Sequence, residues 1–439
     1  MEPEADVIGI CGMEVQFQRQ SELLLYYRSR GYYVVAGGSY ASLCPERYES
    51  RADCVIEGEA EYIFPKFCRD LEAGLPERLY QATDTVALED SPTPRFDLLK
   101  LDQYHTATLQ FSRGCPFRCE FCDIIVMFGR KPRTKSFEQI GRELDALRQL
   151  EVRNVFFVDD NLIGNLPLAK SLLRYLHEYQ ERHQYWFNFG TEASLNMAQY
   201  PDLLERFRNA NFGWVFIGIE STDPASLKET RKVQNLHEDI LTSIHRIYSY
   251  GIEVLAGFII GFDNDSKTSF ERQYDFITQS GIQAAMKGLL VAMPKTPLYE
   301  RLQREGRLSA LHDVSDMTKP FTNIVPKGMS YDDMIDGYVA LYRRLLNDHE
   351  IALRIRNKLR NLANPNYGSG YTVSQSIGII SRLLWKGIIP GGAGRIWAFL
   401  RSLPYRRPNL LPTVISDWIT ALSMRDFAQR HLTSSVSSK

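Results

Sequence analysis

The chain has 439 residues, of which 44% are apolar and 24% are charged, and its formal net charge is −1. This composition indicates a soluble globular protein with about two or three domains. No uninterrupted apolar run of about 18 residues occurs, so a membrane-spanning helix is not predicted. The N-terminus lacks a secretory signal, and seven cysteines are too few for a disulfide framework, so a cytoplasmic setting is predicted.

The charge is unevenly distributed along the chain. Residues 351–439 contain 13 Lys and Arg but only 2 Asp and Glu, whereas the residues before them contain 39 basic and 51 acidic side chains. A basic C-terminal segment on an acidic body predicts that this end of the protein faces something anionic.

The N-terminal part alternates between strand-like and helical patterns. The strand-like runs are DVIGICGM, YYVVAGGS and DCVIEGEAE, and helical spacing occurs in QSELLLYYRSRG and YIFPKFCRDLEAG. This alternation predicts an α/β unit over residues 1–75. Residues 76–104, which include Pro92 and Pro94, are predicted to form a linker.

A longer and more regular alternation follows, over residues 105–305. Its six strand-like runs are TATLQFS, NVFFVDD, WFNFGTEAS, WVFIGIES, EVLAGFIIGF and KGLLVAM, with helical patterns between them. Ser136 is a predicted N-cap of the first of these helices. The order predicts parallel strands with right-handed crossovers, hence a partial, TIM-like (β/α)6 barrel whose chemistry lies at the carboxyl ends of the strands.

The alternation stops before residues 306–439, which are predicted to form a mostly helical, basic domain. A single long amphipathic helical pattern covers residues 332–362, and three further helical patterns follow it.

Three cysteines, Cys115, Cys119 and Cys122, follow the first strand of the predicted barrel. Thiolates at such spacing hold zinc or iron–sulfur clusters. A structural zinc site needs four ligands, and no fourth Cys or His is close in the sequence. Three thiolates on a four-iron cube leave one iron open to a small molecule, so we predict a catalytic centre. The alternative is the remnant of a zinc site or a chance cluster.

The triplet, with Phe121 directly before its last cysteine, resembles the signature of the radical S-adenosylmethionine (SAM) superfamily. The resemblance implies that the three cysteines hold a [4Fe-4S] cluster whose open iron binds the amino and carboxylate groups of SAM. Reduction then cleaves SAM to a 5′-deoxyadenosyl radical, or SAM serves as a methyl source. It also implies an electron donor such as flavodoxin or ferredoxin.

The same resemblance implies SAM contacts at the other strand ends. The implied residues are Phe121, Asp159, Asp160, Asn161, Glu192, Glu220, Gly257, Ile259 and Gly261. Two departures from the family pattern occur, because VDDN replaces the usual Gly-Gly-Glu and the acid after the fifth strand, Asp263, sits one place early. Alternatives remain open: an Asp of the second strand end caps the next helix, or Glu220 pairs with a neighbouring Arg.

Other polar and cysteine residues are given no catalytic role. AMPKTPLYERL is predicted to be a rigid turn. Arg130 and Arg133 are predicted to lie in a solvated loop, with binding of the SAM carboxylate or substrate as the alternative. The remaining cysteines, which are predicted to be buried small side chains, are Cys11, Cys44, Cys54 and Cys68.

The N-terminal unit resembles a doubly wound cobalamin-binding domain through YVVAGGSYAS and CVIEGEAE. In this resemblance Gly37, Gly38 and Gly58 face the corrin ring. The family's Asp-x-His-x-x-Gly is absent and His105 has the wrong context, so the unit is expected to be truncated. A late start codon, completion of the sheet by another chain and loss of cobalamin binding all remain open.

The order of the three parts resembles a subgroup that includes hopanoid C-2 methylases. That resemblance implies methyl transfer from methylcobalamin to an unactivated carbon of an apolar or lipid-like small molecule. The alternatives are an inactive iron–sulfur protein and a radical SAM enzyme that does not methylate.

The C-terminal helices combine tryptophans with basic residues: Trp385, Trp397 and Trp418 lie among Arg382, Lys386, Arg395, Arg401, Arg406 and Arg407. This pattern favours a helical cap on the barrel with a solvated basic face, and peripheral contact with an anionic membrane is the alternative. Binding to nucleic acid is not predicted.

Overall fold

Two parallel sheets organise the computed structural model, which describes residues 4–309, 320–365 and 371–432. The first sheet has four strands in the order β1-β2-β3-β4, all parallel. Its elements are β1 Val7–Cys11, α1 Phe17–Ser29, β2 Tyr33–Gly37, α2 Ser39–Leu43, β3 Cys54–Glu57, α3 Ala60–Glu72 and β4 Leu79–Gln81. The predicted α/β unit is therefore present, with β1 at one edge of its sheet.

Strand β4 corrects the predicted linker, because it lies inside residues 76–104 and pairs with β3. It has only three residues, and Tyr80 alone among them is buried, against Phe67. So short a strand leaves no periodic signal, and the tertiary contact decides its conformation.

The second sheet is the predicted partial barrel. Six parallel strands run in the order β5-β8-β9-β10-β11-β12 without closing, and a short antiparallel pair, β6 and β7, lies beside them. The strands are β5 Ala107–Leu109, β6 Ser112–Arg113, β7 Arg133–Thr134, β8 Asn154–Phe157, β9 Asn188–Glu192, β10 Phe212–Glu220, β11 Glu253–Ile260 and β12 Ala285–Leu289. All six predicted strands are confirmed.

Helices cover the outside of this sheet. They are α4 Ile124–Met127, α5 Phe137–Gln149, α6 Leu166–Arg182, α7 Pro201–Asn209, α8 Pro224–Glu229, α9 Ile240–Ser249, α10 Lys267–Ser280 and α11 Pro297–Arg304. Ser136 caps α5 as predicted: its hydroxyl accepts the Gln139 amide at 3.2 Å while the Gln139 side chain accepts the Ser136 amide.

The C-terminal domain is helical, as predicted, in its described part. Its helices are α12 Tyr331–Leu345, α13 Asp348–Asn361, α14 Val373–Leu383, α15 Gly392–Ser402 and α16 Leu411–Leu432, with a π-helical turn at Leu384–Ile388. Predictions that fall on 1–3, 310–319, 366–370 and 433–439 lie outside the described residues. Within the described ranges, every helix is too short or too polar to cross a lipid bilayer.

The expected single helix over 332–362 is wrong, because the chain breaks between α12 and α13. The Asn347 side chain accepts the Glu350 amide at 3.0 Å and so caps a new helix. Asn followed three residues later by Glu is a start signal that the continuous amphipathic pattern concealed.

A buried ionic contact joins this domain to the barrel. Lys358 on α13 reaches Asp417 on α16 at 2.7 Å and also pairs with Glu253, the first residue of β11. Arg354 is buried as well and donates to the carbonyls of Ile282 and Leu345 at 2.8 and 2.9 Å. Because these cations satisfy groups on several elements, they fix the domain against the amino ends of the strands.

Replacing Lys358 with Met should destabilise the protein by about 3 kcal/mol, because it leaves buried carboxylates without their cation. Burial raises the pKa of Asp417 to about 7, and loss of Lys358 raises it further. The folded variant then holds protons that the unfolded chain releases, so its stability falls as the pH rises. Urea unfolding at pH 6 and pH 8 should therefore show the larger loss at pH 8.

The control is Arg360→Met on the exposed face of the same helix. It should change the free energy of unfolding by less than about 0.5 kcal/mol. Equal losses in the two variants would show that the ionic contact does not join the domains.

Candidate active site

The three cysteines lie in the loop between β6 and α4, at the carboxyl end of the barrel. Cys119 is buried, and Cys115 and Cys122 are half-buried. Burial raises the pKa of the Cys115 thiol and raises that of Cys122 to about 12. The thiols of Cys115 and Cys122 are therefore protonated at neutral pH until a metal displaces their protons.

Each thiol has an N–H donor. The Phe117 amide donates to Cys115, the Ile124 amide donates to Cys122, and the Gln234 side-chain amide lies 3.6 Å from the Cys119 sulfur. Such donors stabilise thiolates and tune iron–sulfur clusters.

This donor set fits a four-iron cluster. In the described ranges no three His, Cys, Asp or Glu side chains are grouped closely enough for one metal ion. Three cysteine thiolates can bind three irons of a four-iron cluster, so the chemistry of this donor set fits such a cluster.

Two carboxylates at the end of β8 hold the start of the cysteine loop. Asp159 accepts the amides of Phe111 and Ser112, each at 2.8 Å, and the Ser112 hydroxyl. Asp160 accepts the Gly114 amide at 2.7 Å. Burial raises the pKa of Asp159 to about 7. Both oxygens of Asp159 thus serve the loop, which differs from its expected contact with SAM.

Asn161 connects two strand ends. Its side-chain oxygen accepts the Ser194 amide at 3.2 Å, and its side-chain nitrogen donates to the Ser194 hydroxyl at 3.1 Å. It also forms a side-chain hydrogen bond with Cys115. Asn161 therefore lies at the cysteine site, and its contact with SAM stays a prediction.

A second anchor holds the middle of the cysteine loop. Glu120 lies between Cys119 and Phe121, and its carboxylate accepts Arg301 at 2.7 and 3.3 Å. The Glu120 carbonyl accepts the Leu298 amide at 2.9 Å. The segment AMPKTPLYERL, predicted to be only a rigid turn, thus forms α11 and clamps the loop.

Glu220 has a strained backbone at the end of β10. Its φ is +64°, and the register with β11 shifts between Gly218 and Glu220. The bulge aims its carboxylate at Lys232, 2.9 Å away. A side chain on Gly218 would collide with this carboxylate at 2.2 Å. The alternative given for Glu220, an ion pair with a neighbouring basic side chain, is therefore present, although the partner is a lysine and not an arginine.

Lys232 is a buried cation beside the cysteines, and sequence reasoning missed it. Burial lowers its pKa, but the charge of the Glu220 carboxylate and its hydrogen bond to Lys232 outweigh burial and raise the pKa. Its ammonium lies 6.0 Å from the centre of the Phe121 ring. Its position shortly after the fourth strand end was the available signal.

Glu192 at the end of β9 faces this group. Burial, together with the charge of Asp160, raises its pKa to about 7, and the ammonium of Lys232 counteracts them in part. Among the described residues its carboxylate has no hydrogen-bonding partner. A cationic ligand that binds beside such a buried carboxyl group would stabilise its ionised form.

Strand β11, which contains Gly257, passes beside Glu220 at the end of β10. A side chain on Gly257 would touch the Phe216 ring at 3.3 Å, and Ile259 packs in the same apolar cluster as Phe121. Gly261 has φ of +121°, and its amide donates to Asp265 at 2.9 Å. The strand therefore presents mostly backbone toward the predicted adenine position.

Asp263, the acid noted in the family motif, is engaged elsewhere. It pairs with Arg301 at 2.9 Å and with Arg307 at 2.7 Å. It therefore supports α11 and the clamp on the cysteine loop.

A cavity of about 1060 Å³ lies between the carboxyl edges of the two sheets. Gly38 and Gly58 line it from the first sheet, and Gln110 and Met127 line it from the barrel. It reaches the upper end of the roughly 300–1,000 Å³ usual for ligand pockets, so it fits a large cofactor. No histidine occurs among the described residues that line it. Gly37 lies outside the lining.

The cavity glycines also have structural reasons. Gly38 and Gly58 have φ of +95° and +94°, and side chains there would meet Gly12 and Ala82 at 2.7 and 2.8 Å. They allow the loops at the sheet edge to pack closely.

Two expectations for single residues are corrected here. Arg133 is not solvated but half-buried, and it pairs with Glu59 of the N-terminal unit at 3.0 Å, whereas Arg130 is exposed. Cys11 is exposed and lines the cavity, while Cys44 and Cys54 are buried and Cys68 is half-buried.

A family model of the radical SAM superfamily matches residues 109–277, and one of a domain of unknown function, DUF4070, matches residues 296–435. The uncharacterized methyltransferase sll1242 of Synechocystis sp. is 36% identical over 421 residues, which cover 95% of this chain and 78% of that protein. The chain belongs to the radical SAM superfamily. It is a radical SAM enzyme, and this family uses a [4Fe-4S] cluster and SAM.

A further relative and one solved structure are similar to this radical SAM enzyme. The hopanoid C-2 methylase of Rhodopseudomonas palustris is 35% identical over 394 residues, which cover 87% of this chain and 73% of that protein. The solved cobalamin-dependent SAM radical enzyme OxsB shares the fold, with a TM-score of 0.60 and 17% identity over 99% of this chain and 73% of that one.

Replacing Arg301 with Met should accelerate loss of the cluster roughly tenfold or more, since a buried Glu120 without its cation destabilises the loop by about 2 kcal/mol. Anaerobic reconstitution followed by iron and sulfide release into a chelator measures this. Adding Glu120→Gln should restore part of the lifetime, because the unpaired charge is then gone.

Arg304→Met, on the exposed side of the same helix, is the control and should leave cluster lifetime unchanged. If Arg301→Met keeps its iron as long as the unmodified protein, α11 does not hold the loop.

SAM affinity should rise roughly tenfold between pH 6 and pH 8 if the ionised form of Glu192 binds the cation. The raised pKa of about 7 means that the carboxyl group is mostly protonated at pH 6 and mostly ionised at pH 8. Anaerobic calorimetry on the reconstituted protein measures the affinity. Glu192→Gln should flatten the profile, and an unchanged slope would exclude Glu192 as its source.

Proposed function

We propose that this radical SAM enzyme methylates an unactivated carbon of an apolar, lipid-like small molecule, with cobalamin as methyl carrier. The cavity at the carboxyl edges of both sheets is the observation that carries the proposal, because residues of the N-terminal unit line it together with Arg113 and Met127, which flank the cysteine loop. Ligands of parallel α/β folds bind at such edges. The R. palustris relative is named for methylation of a hopanoid, which motivates the substrate class.

The proposed cofactors would supply the chemistry when bound: the cluster would supply the electron for reductive cleavage of SAM, and cobalamin would supply the methyl group. Cys115, Cys119 and Cys122 are the residues that would hold the cluster. An electron donor such as flavodoxin or ferredoxin would reduce it.

The protein's own groups position SAM in this proposal. Its positive sulfonium and ammonium suit the acidic face around Asp160 and Glu192, while Lys232 offers a cation to its carboxylate. Glu220 would meet the ribose hydroxyls, with Lys232 holding it in place. Gly257 and Gly261 would leave room for the adenine ring.

The cavity is the proposed cobalamin site. Gly38 and Gly58 approach it from the N-terminal unit, and the described lining offers no imidazole. Cobalamin would therefore bind without a histidine ligand from these residues.

A lipid-like substrate resides in membranes, so we also propose peripheral membrane contact through the basic C-terminal helices. The domain's charge, with no acidic side chain from residue 351 to 416, supports this contact.

The reconstituted protein should convert SAM to 5′-deoxyadenosine with a strong reductant, and to S-adenosylhomocysteine as well when cobalamin and a polycyclic lipid are added. Chromatography with mass detection follows both products. Cys122→Ala should abolish 5′-deoxyadenosine, whereas Cys68→Ala should retain it. Deoxyadenosine without any methylated product would favour a radical SAM enzyme that does not methylate.

The cavity itself is tested with Ala82→Trp, which places a large ring at its lining, against Ala73→Trp on an exposed helix end. The first variant should lose cobalamin retention while keeping its iron, and the second should lose neither. Equal cobalamin retention in both would contradict the proposed cobalamin site.

A further inference from the structure

An exposed apolar and basic surface covers the outer side of α14 and α15. These helices rest on α13 and α16 through buried side chains such as Leu383 and Phe399. Their outer side exposes Val373, Ile377, Trp385, Ile389, Trp397 and Tyr405. Trp385 and Trp397 are 69% and 62% exposed, which is unusual for tryptophan. We call these six side chains, together with the exposed Arg382, Lys386, Arg401 and Arg406, the hairpin surface.

The structure separates the basic residues of this region into two groups. Arg395 pairs with Asp348 at 3.0 Å, and Arg407 donates to backbone carbonyls of α13. Trp418 is likewise buried, and it donates to the Ser402 hydroxyl. Arg382, Lys386, Arg401 and Arg406 form no ion pair with any described residue. The uncompensated positive charge is thus concentrated on the hairpin surface.

The exposed tryptophans lie on both arms of the hairpin. The π-helical turn Leu384–Ile388 carries Trp385 and Lys386 just before the bend at Pro390. On the second arm the Arg401 guanidinium lies 5.9 Å from the Trp397 ring centre. Aromatic rings beside long basic side chains match the boundary between lipid headgroups and acyl chains.

Charge argues against a second copy of this chain as the occupant. Two such surfaces facing each other would bring their unpaired cations together without any acidic partner. An anionic bilayer offers both the apolar depth that the rings need and the negative charge that the bases need.

We propose that the hairpin surface docks this enzyme on anionic lipid bilayers, with Trp385 and Trp397 inserted at the headgroup level. This assigns a role to the outer part of the domain of unknown function. The inference rests on the proposed function, since docking brings the enzyme to a lipid-like substrate.

The experiment measures sedimentation of the full chain with vesicles of phosphatidylcholine alone or with 30% phosphatidylglycerol, a composition of about one anionic lipid in three. Binding should require phosphatidylglycerol. It should weaken at least about tenfold in high salt, because salt screens the attraction between the basic side chains and the anionic lipids. Vesicles with brominated acyl chains should quench tryptophan fluorescence.

Two sets of variants test the surface. Reversing Arg382, Lys386, Arg401 and Arg406 to Glu should weaken binding at least about tenfold. The matched control reverses Lys100, Arg174, Lys228 and Arg304, which are exposed elsewhere. Trp385→Ala with Trp397→Ala should abolish quenching and weaken binding, unlike Leu75→Ala with Tyr104→Ala. Circular dichroism confirms folding.

The remaining outcomes overturn the proposal. They are no binding to either vesicle, equal loss in both charge-reversal sets, a dimer that the tryptophan variant dissociates, and binding to nucleic acid with none to vesicles. Reductive SAM cleavage is measured separately and without lipid, so that the docking proposal and the proposed function can be tested independently. A protein that binds vesicles without cleaving SAM keeps the docking surface and loses the proposed function.

Discussion

The active site depends on holding an irregular loop in one conformation. Three thiols must face a common space, and the loop that carries them has little regular structure of its own. Asp159 and Asp160 bind its first amides, and Arg301 binds Glu120 in its middle. Both anchors come from other elements, the end of β8 and helix α11. The geometry of the thiols is therefore a property of the assembled barrel, and part of it comes from the domain of unknown function.

The electrostatics of the site follow from the same burial. Carboxyl groups crowded at the strand ends have raised pKa values, and the buried Lys232 compensates only the nearest of them. These carboxyl groups are stabilised in their ionised form when a cation binds beside them. A zwitterionic ligand with a sulfonium can therefore interact favourably both with the carboxylates and with Lys232. Glu220 has a strained backbone conformation beside Lys232. Such strain persists only where the surrounding structure enforces it, so the position of the carboxylate outweighs the local backbone preference.

The contrast between sequence and structure has a physical pattern. Six strands were predictable because buried parallel strands are continuous apolar runs. Cys115, Cys119 and Cys122 were predictable because their spacing is local. Lys232 and Arg301 were not, because each lies more than a hundred positions along the chain from the cysteine loop beside which folding places it. Asp159 was predicted from the sequence as a SAM contact, but its hydrogen bonds to the amides of Phe111 and Ser112 and to the Ser112 hydroxyl were not foreseen, since they depend on where folding places these donors. Strand β4 escaped because a tertiary contact decides it.

The basic side chains of the C-terminal domain fall into two groups. The inward cations, Arg354 and Lys358, are buried, and carbonyl and carboxylate oxygens bind them. They therefore hold the domain on the barrel and add no positive charge to its outer surface. The cations of the hairpin surface, Arg382, Lys386, Arg401 and Arg406, have no ion pair with any described residue and are interspersed with exposed rings. A domain that only capped the barrel would need the first group alone, because solvated tryptophans weaken solubility without adding cohesion. The second group is explained if the domain also meets a surface that is both apolar and anionic.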